Sequence, residues 1–133
     1  MGRRQMAKSI LIIDDEQLVT KSLQKLLKKE GYNAVVATSG HEAIEKIKSS
    51  EFDLIVSDVR MPSINGIETI EKIRQIRQES GKGHIPEILI TGYADEDKYK
   101  SAIKLGVRDY LFKPFDTNKF LEVIKRNLDV TEK

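Results

Sequence analysis

Five short apolar segments alternate along the chain with five stretches in which apolar residues recur every three or four positions. The apolar segments are rich in branched residues and apolar on both faces, which predicts buried strands. These segments are Ser9–Ile13, Ala34–Ala37, Leu54–Val56, Ile88–Ile90 and Tyr110–Phe112. The intervening stretches predict amphipathic helices. Such alternation requires right-handed crossovers and a parallel sheet covered on both faces.

Five strand-helix units in one open sheet predict an α/β fold of the flavodoxin-like, doubly wound (βα)5 type. Its five parallel strands are expected in the order 2-1-3-4-5. In such sheets the functional groups lie at the carboxyl ends of the strands, beside the point where the strand order reverses. The polar residues that follow the predicted strands are therefore the first candidates for function.

The predicted helices have recognisable beginnings and ends. The first should bury Leu18, Val19, Leu23, Leu26 and Leu27 and end at Gly31. Ser39 and Glu42 are spaced as a capping box that opens the second. The third should end near Ser80, and the fourth should run from Ala94 to Leu105, where Gly106 stops it. Asp116 or Thr117 is expected to cap the fifth.

A length of 133 residues predicts one domain. We place it at residues 8–129, with 1–7 as a disordered tail that is either native or left from expression. Residues 130–133 are a second tail or the start of a linker. The chain has no Cys, which excludes disulfides and thiolate sites and is typical of the cytoplasm. No segment is long and apolar enough to predict a membrane span or a signal peptide.

Charged residues make up 33% of the chain, but the net charge is only +2. Because the two signs are mixed, direct nucleic-acid contact by this domain is not expected. One cluster of lysines could suggest otherwise, but it alternates with leucines on the first predicted helix, so we interpret it as a solvated face. This cluster is Lys21, Lys25, Lys28 and Lys29.

Polar residues follow four of the five predicted strands. Asp14 and Asp15 follow the first strand, Asp58 the third, Thr91 the fourth and Lys113 the fifth. Clustered carboxylates repel one another unless a cation is present, and oxygen ligands favour Mg²⁺. Taken singly, each residue has an ordinary structural explanation as a loop acid, a turn residue or a buried hydroxyl. Their joint placement at one sheet edge indicates a site for a charged, oxygen-rich ligand such as a phosphoryl group.

These residues stand within longer motifs, and with them the chain resembles the receiver domain of bacterial two-component response regulators from Lys8 to Leu128. The matching segments are ILIIDDE (10–16), FDLIVSDVRMP (52–62), NG (65–66), ILITG (88–92) and DYLFKPF (109–115). The resemblance implies signal transduction, often in transcription regulation, by a domain that receives a phosphoryl group from a histidine kinase or phosphotransfer protein.

The resemblance also implies roles for individual residues. Asp58 is implied as the phosphoacceptor, and Lys113 as the cation that pairs first with Asp58 and then with the phosphoryl group. The implied Mg²⁺ ligands are Asp15, Asp58, the backbone carbonyl of Arg60 and, through water, Asp14. The Lys113–Pro114 bond is implied to be cis, which costs little before proline.

A switch is implied as well, in which Thr91 follows the phosphoryl group and Tyr110 then turns inward. The surface that changes is that of helix four, strand five and helix five. Through it the domain is expected to contact an output domain, a partner protein or a second receiver.

Three further positions vary in resembling sequences. Arg60 and Tyr93 are expected to rim the site and to tune the rate at which water removes the phosphoryl group. Tyr99 stands on the fourth predicted helix, where a smaller residue is common in the family.

Two other functions stay open at this point. A phosphohydrolase could also use an aspartyl phosphate and Mg²⁺, although its nucleophile would follow the first strand. A pseudo-receiver would act as an interaction module without phosphorylation, although none of the required residues is missing here. We expect a regulator that catalyses only its own phosphorylation and dephosphorylation, either as a whole protein or as part of a longer one.

Overall fold

The computed structural model describes residues 7–92 and 96–129, which form a parallel sheet between two layers of helices. The strands are β1 (Ser9–Ile13), β2 (Asn33–Ala37), β3 (Leu54–Asp58), β4 (Glu87–Gly92) and β5 (Asp109–Lys113). The helices are α1 (Gln17–Lys29), α2 (Gly40–Ser49), α3 (Gly66–Glu79), α4 (Glu96–Leu105) and α5 (Thr117–Asp129). The order β2-β1-β3-β4-β5 confirms the predicted fold class and topology.

The core has one part on each face of the sheet, because successive strand residues point in opposite directions. On β1, Ile10 and Ile12 pack with residues of α1 and α5, whereas Leu11 and Ile13 pack with residues of α2 and α3. A third cluster joins α3 to β4 and the end of α4. This burial on both faces explains why the strand segments are apolar without alternation.

Leu18 does not lie on the buried face of α1, so that part of the prediction is wrong. Its side chain is 84% exposed, whereas Leu23 and Leu27 are buried. Leu18 precedes Leu27 by nine residues, which at 3.6 residues per turn places the two about 180° apart around the helix. Thr20 takes the inward position instead and is buried.

The predicted capping box at α2 is half formed. The Ser39 hydroxyl accepts a hydrogen bond from the Glu42 backbone N–H at 3.0 Å, as predicted. The Glu42 carboxylate, however, accepts from the N–H and hydroxyl of Thr38, at 2.6 and 2.9 Å. Two donors on one residue compete successfully with the single N–H of Ser39. A complete reciprocal box opens α3 instead, between Asn65 and Glu68.

The remaining helix ends agree with the prediction where the structure describes them. Gly31 and Gly106 follow α1 and α4 with positive φ values of 95° and 75°, a conformation that glycine adopts without strain. The Asp116 carboxylate caps α5 by accepting from the Lys119 N–H at 2.7 Å. Ala94, the predicted start of the fourth helix, lies outside the described residues. Among the helices described, none is long and apolar enough to cross a membrane.

Candidate functional site

The register of the parallel strands brings four of the polar segments to one edge of the sheet. Asp58 pairs with Ile90, the residue before Thr91, and Lys113 pairs with Gly92. Asp14 follows the last residue of β1, which is paired with β3. Segments from widely separated parts of the sequence therefore converge on Asp58.

Asp14, Asp15 and Asp58 form a carboxylate cluster in which one oxygen from each lies within 4.8 Å of the others. Asp14 and Asp58 are 1% and 5% exposed, whereas Asp15 is exposed. Burial raises the pKa of Asp58 to about 6, and the neighbouring charge of Asp14 acts in the same direction. Lys113 opposes this shift without cancelling it. The site therefore has more negative charge than its own residues neutralise.

Asp14 provides the clearest indication that the carboxylate cluster could hold a cation. Burial is the main cause that raises the pKa of its carboxyl group. One oxygen, Oδ1, accepts from the Glu16 N–H at 3.0 Å. The other oxygen, Oδ2, is buried and has no hydrogen-bond partner. Among the buried side chains that the structure describes, it is the only polar atom without one. Buried polar atoms nearly always have a partner, so this oxygen fits a ligand such as a hydrated Mg²⁺.

Lys113 supplies the positive charge of the site. Its Nζ lies 3.4 Å from Asp58 Oδ1 and 3.9 Å from Glu16 Oε1. The following peptide bond, Lys113–Pro114, is cis, which is the form implied by the motif. The side chain is partly exposed, so the ammonium contacts both the buried Asp58 carboxylate and solvent.

The connection between β3 and α3 is packed tightly against Asp58, a close approach that the sequence alone does not predict. A Cβ at Gly66 would collide with the backbone carbonyl oxygen of Asp58. Gly66 also donates its N–H to the carbonyl of Val59 at 2.8 Å. The Asn65-Gly66 motif was visible in the sequence, but the close approach depends on the folded chain. Arg60 lies in this connection with its side chain exposed.

Thr91 lies on β4, and Tyr110 lies on β5, which pairs with the edge of β4 opposite β3. Thr91 is buried, and its hydroxyl donates a long hydrogen bond to the Gly92 carbonyl at 3.4 Å. The Tyr110 ring is half-buried and meets the Tyr99 ring edge-on, with centroids 5.2 Å apart. Burial and the adjacent Tyr99 raise the pKa of Tyr110. Tyr93, the other predicted rim residue, lies outside the described residues.

A buried carboxylate beside an ammonium group and an acid pair is an arrangement that suits phosphoryl transfer, which depends on positioning and charge neutralisation. Residues 10–125 match the family described as the response regulator receiver domain. The chain belongs to this family. Its fold, motifs and relatives identify it as a receiver domain of two-component signal transduction.

Curated relatives of this receiver domain are longer regulators. The transcriptional regulatory protein ZraR of Salmonella typhimurium is 34% identical over 119 residues, which cover 90% of this chain and 26% of that protein. The alkaline phosphatase synthesis transcriptional regulatory protein PhoP of Bacillus subtilis is 34% identical over 128 residues, which cover 94% and 51%. The chain thus spans about a quarter to a half of these relatives.

Solved structures of similar length share the fold. A CheY-like receiver domain protein from Methanospirillum hungatei JF-1 is 31% identical, covers 96% of this chain and 98% of its own, and has a TM-score of 0.85. The chemotaxis protein CheY4 of Vibrio cholerae is 28% identical, with coverage of 92% and 100% and a TM-score of 0.82. The receiver fold therefore accounts for nearly the whole chain.

Proposed function

We propose that this receiver domain takes a phosphoryl group onto Asp58 from a phosphohistidine of a sensor histidine kinase or phosphotransfer protein, with Mg²⁺ as cofactor. The observation that carries the proposal is the incompletely neutralised cluster around Asp58. Lys113 approaches the acceptor at 3.4 Å, and the buried Oδ2 of Asp14 has no partner. A cation and a phosphoryl group would together satisfy these atoms.

The proposed reaction uses the Asp58 carboxylate as the nucleophile. One of its oxygens forms a bond to phosphorus while the bond from phosphorus to the donor imidazole breaks, and the electron pair of that bond returns to the imidazole nitrogen. Lys113 first pairs with the carboxylate and then with the transferred phosphoryl oxygens. Asp15, Asp58 and the Arg60 carbonyl would hold Mg²⁺, with Asp14 acting through water. When bound, the metal supplies the positive charge that the transferred group requires.

The donor is proposed to approach over α1 and the connection between β5 and α5. Leu18 is 84% exposed at the start of α1, close in sequence to the acid pair. A shallow cavity starts at the neighbouring residue Val19 and is lined by Glu16, Val19, Lys113, Pro114 and Phe115. This apolar surface adjoins the ammonium that contacts Asp58, so a helix carrying the donor histidine would bury Leu18 as it reaches the acceptor. The kinase partner implies a cytoplasmic location.

The output is proposed to be a change in the face formed by α4, β5 and α5. A phosphoryl group on Asp58 would draw the Thr91 hydroxyl away from its weak bond to Gly92, and Tyr110 would then move inward from Tyr99. The phosphoryl group must favour this state by a few kcal/mol to shift the population. An output domain, a partner protein or a second receiver would bind the altered face, and we propose no direct nucleic-acid contact.

Phosphorylation by a small donor tests the proposal directly. Acetyl phosphate with Mg²⁺ should add one phosphoryl mass to the protein, and EDTA should prevent the addition. Asp58→Ala should abolish it, whereas the exposed acid substitution Glu45→Ala should have no effect. Undiminished labelling of Asp58→Ala would overturn the assignment. Continuous hydrolysis of a generic phosphate ester would favour a phosphohydrolase instead, and unlabelled native protein would favour a pseudo-receiver.

A further inference from the structure

A third buried carboxylate, besides those of Asp14 and Asp58, lies at the other end of the sheet. Glu87 begins β4, at the end of the strand opposite Thr91, and is 1% exposed. A carboxylate inside a parallel sheet is costly unless a cation and hydrogen bonds compensate it. Its partners show how the sheet is connected to the neighbouring helices.

Arg74 of α3 provides this compensation with both sides of its guanidinium. Its Nε and Nη2 atoms lie 2.9 and 2.6 Å from the two Glu87 carboxylate oxygens. The same group reaches α4, where Nη1 donates to the Leu105 carbonyl at 2.7 Å and Nη2 to the Gly106 carbonyl at 3.4 Å. The last carbonyls of a helix have no partner within it, so these bonds cap α4. One side chain thus joins α3, β4 and the C-terminal end of α4.

The two ends of α4 are attached differently. Near the C-terminal end, Ala102 and Val107 are buried in a cluster with α3 and β4. In the first half, the described side chains are Asp97, Tyr99 and Lys100, and none of them is buried. Tyr99 packs there on the rings of Tyr110 and Phe112. The arginine bonds therefore reinforce the end that is already packed, while the end that follows Thr91 lacks such support among the residues described.

We infer that Arg74 is a positioning residue of the receiver switch: it anchors the C-terminal end of α4, so that the helix pivots about this end. A displacement that begins at Thr91 then moves the first half of α4 and its aromatic contact with Tyr110. A helix released at both ends could shift as a whole and would couple the acceptor to Tyr110 less effectively. The inference rests on the proposed phosphorylation of Asp58, since that event supplies the displacement.

Arg74→Lys is the variant that separates anchoring from simple charge compensation. Lysine keeps a cation beside Glu87, but its ammonium cannot reproduce the planar fork that bonds two carboxylate oxygens and two carbonyls. Arg77→Lys is the matched control on the same helix. Arg77 is more deeply buried than Arg74, and its guanidinium bonds to the Gly83 carbonyl and to Glu51, both of which lie outside α4.

Hydrogen exchange measures the anchor without any ligand. The Gly106 N–H, which bonds to the carbonyls of Ala102 and Ile103, should exchange roughly tenfold faster in Arg74→Lys than in the unmodified protein or in Arg77→Lys. Equal exchange in all three proteins would overturn the inference. Because this measurement needs no phosphoryl mimic, it tests the anchor even if Asp58 proves not to be a phosphoacceptor.

Two-dimensional NMR with beryllofluoride and Mg²⁺ then measures the coupling. In the unmodified protein the shifts should involve Thr91, the first half of α4 and Tyr110, while Leu105 and Gly106 change little. In Arg74→Lys the shifts should spread to Leu105 and Gly106, and the Tyr110 shift should fall to roughly half or less because the released helix responds as a whole. An unchanged pattern in Arg74→Lys would contradict the pivot. No response at Thr91 in the unmodified protein would instead contradict the proposed function.

Arg74→Met combined with Glu87→Leu provides a second test, should the lysine variant fail to fold. Removing both charges avoids a buried unpaired carboxylate, and such replacements are often tolerated. The double variant lacks the bonds to Leu105 and Gly106 and must show the same faster exchange and spread of shifts. Behaviour like that of the unmodified protein would refute the inference.

Discussion

Neutralising Asp58, the proposed phosphoacceptor, should stabilise the metal-free domain. In EDTA at pH 7.5 the folded state must hold Asp58 ionised in a buried position beside Asp14, with Lys113 as its nearest cation. Asp58→Asn removes that charge while keeping the shape of the side chain. We expect the variant to unfold at a higher temperature than the unmodified protein, although it lacks the proposed phosphoacceptor.

The magnitude follows from the pKa of Asp58, which burial raises from 3.8 to about 6. The folded state binds the Asp58 proton more tightly than the unfolded chain does. Protonation of Asp58 therefore contributes fully to the free energy of unfolding below pH 4, and this contribution is lost as the pH rises through 6. A difference of about two units at about 1.4 kcal/mol per unit amounts to about 3 kcal/mol. For a domain of this size, that corresponds to roughly 10 °C in the melting temperature.

The assay is thermal unfolding by circular dichroism in EDTA between pH 4 and 8. The unmodified protein should lose stability between pH 4 and 6, and Asp58→Asn should lack that part of the profile. Glu45→Gln, an exposed acid on α2, serves as the control and should change the stability by less than about 0.5 kcal/mol. If Asp58→Asn melts at or below the temperature of the unmodified protein at pH 7.5, the reasoning from buried charge is refuted.

Three further predictions concern the same site. Mg²⁺ at about a hundredfold excess over its dissociation constant should stabilise the unmodified protein by about 2.7 kcal/mol; Asp15→Asn should reduce this gain, and a melt insensitive to Mg²⁺ would exclude the metal site. Gly66→Ala should destabilise the domain by about 1–3 kcal/mol in urea, because its Cβ meets the Asp58 carbonyl oxygen; an unchanged midpoint would show that the connection yields freely. Arg60→Asn and Tyr93→Ala should admit water and so speed hydrolysis of the phosphorylated protein, and a tenfold faster rate corresponds to a barrier lower by about 1.4 kcal/mol. Unchanged or slower decay in these variants would show that Arg60 and Tyr93 do not shield the phosphoryl group.

The sequence predicts the sheet well because a parallel strand buried on both faces leaves an unmistakable apolar segment. The ends of the individual strands are predicted less well. The apolar segment of the third strand stops at Val56, whereas β3 continues through Ser57 and Asp58. These residues are polar, so the apolar pattern ends before the strand does. The backbone pairing with β4 nevertheless extends to Asp58, and the Val59 N–H still donates to the Ile90 carbonyl.

The carboxylate cluster could be predicted because each member follows a strand, and parallel strands end at the same edge. Leu18 could not be placed correctly by spacing alone, because the leucines of α1 cover more than one face and Thr20 takes an inward position. The need for glycine at position 66 could not be predicted, because it arises from the short distance between the start of α3 and the end of β3. In each case the missing information was the distance between segments that are separate in the sequence.

Glu87 shows the same limit and adds a comparison with Asp58. Both are buried carboxylates on neighbouring strands, yet they differ in how fully their charge is compensated. Glu87 receives two bonds from the Arg74 guanidinium, whereas Asp58 has one lysine nitrogen at 3.4 Å and a second buried acid beside it. The charge of the Glu87 carboxylate is already neutralised by Arg74, so this carboxylate has little affinity for a further cation and instead joins structural elements. The undercompensated one retains affinity for a cation and for an electrophile, which is why the reactive end of the sheet is expected at Asp58 and the fixed end at Glu87.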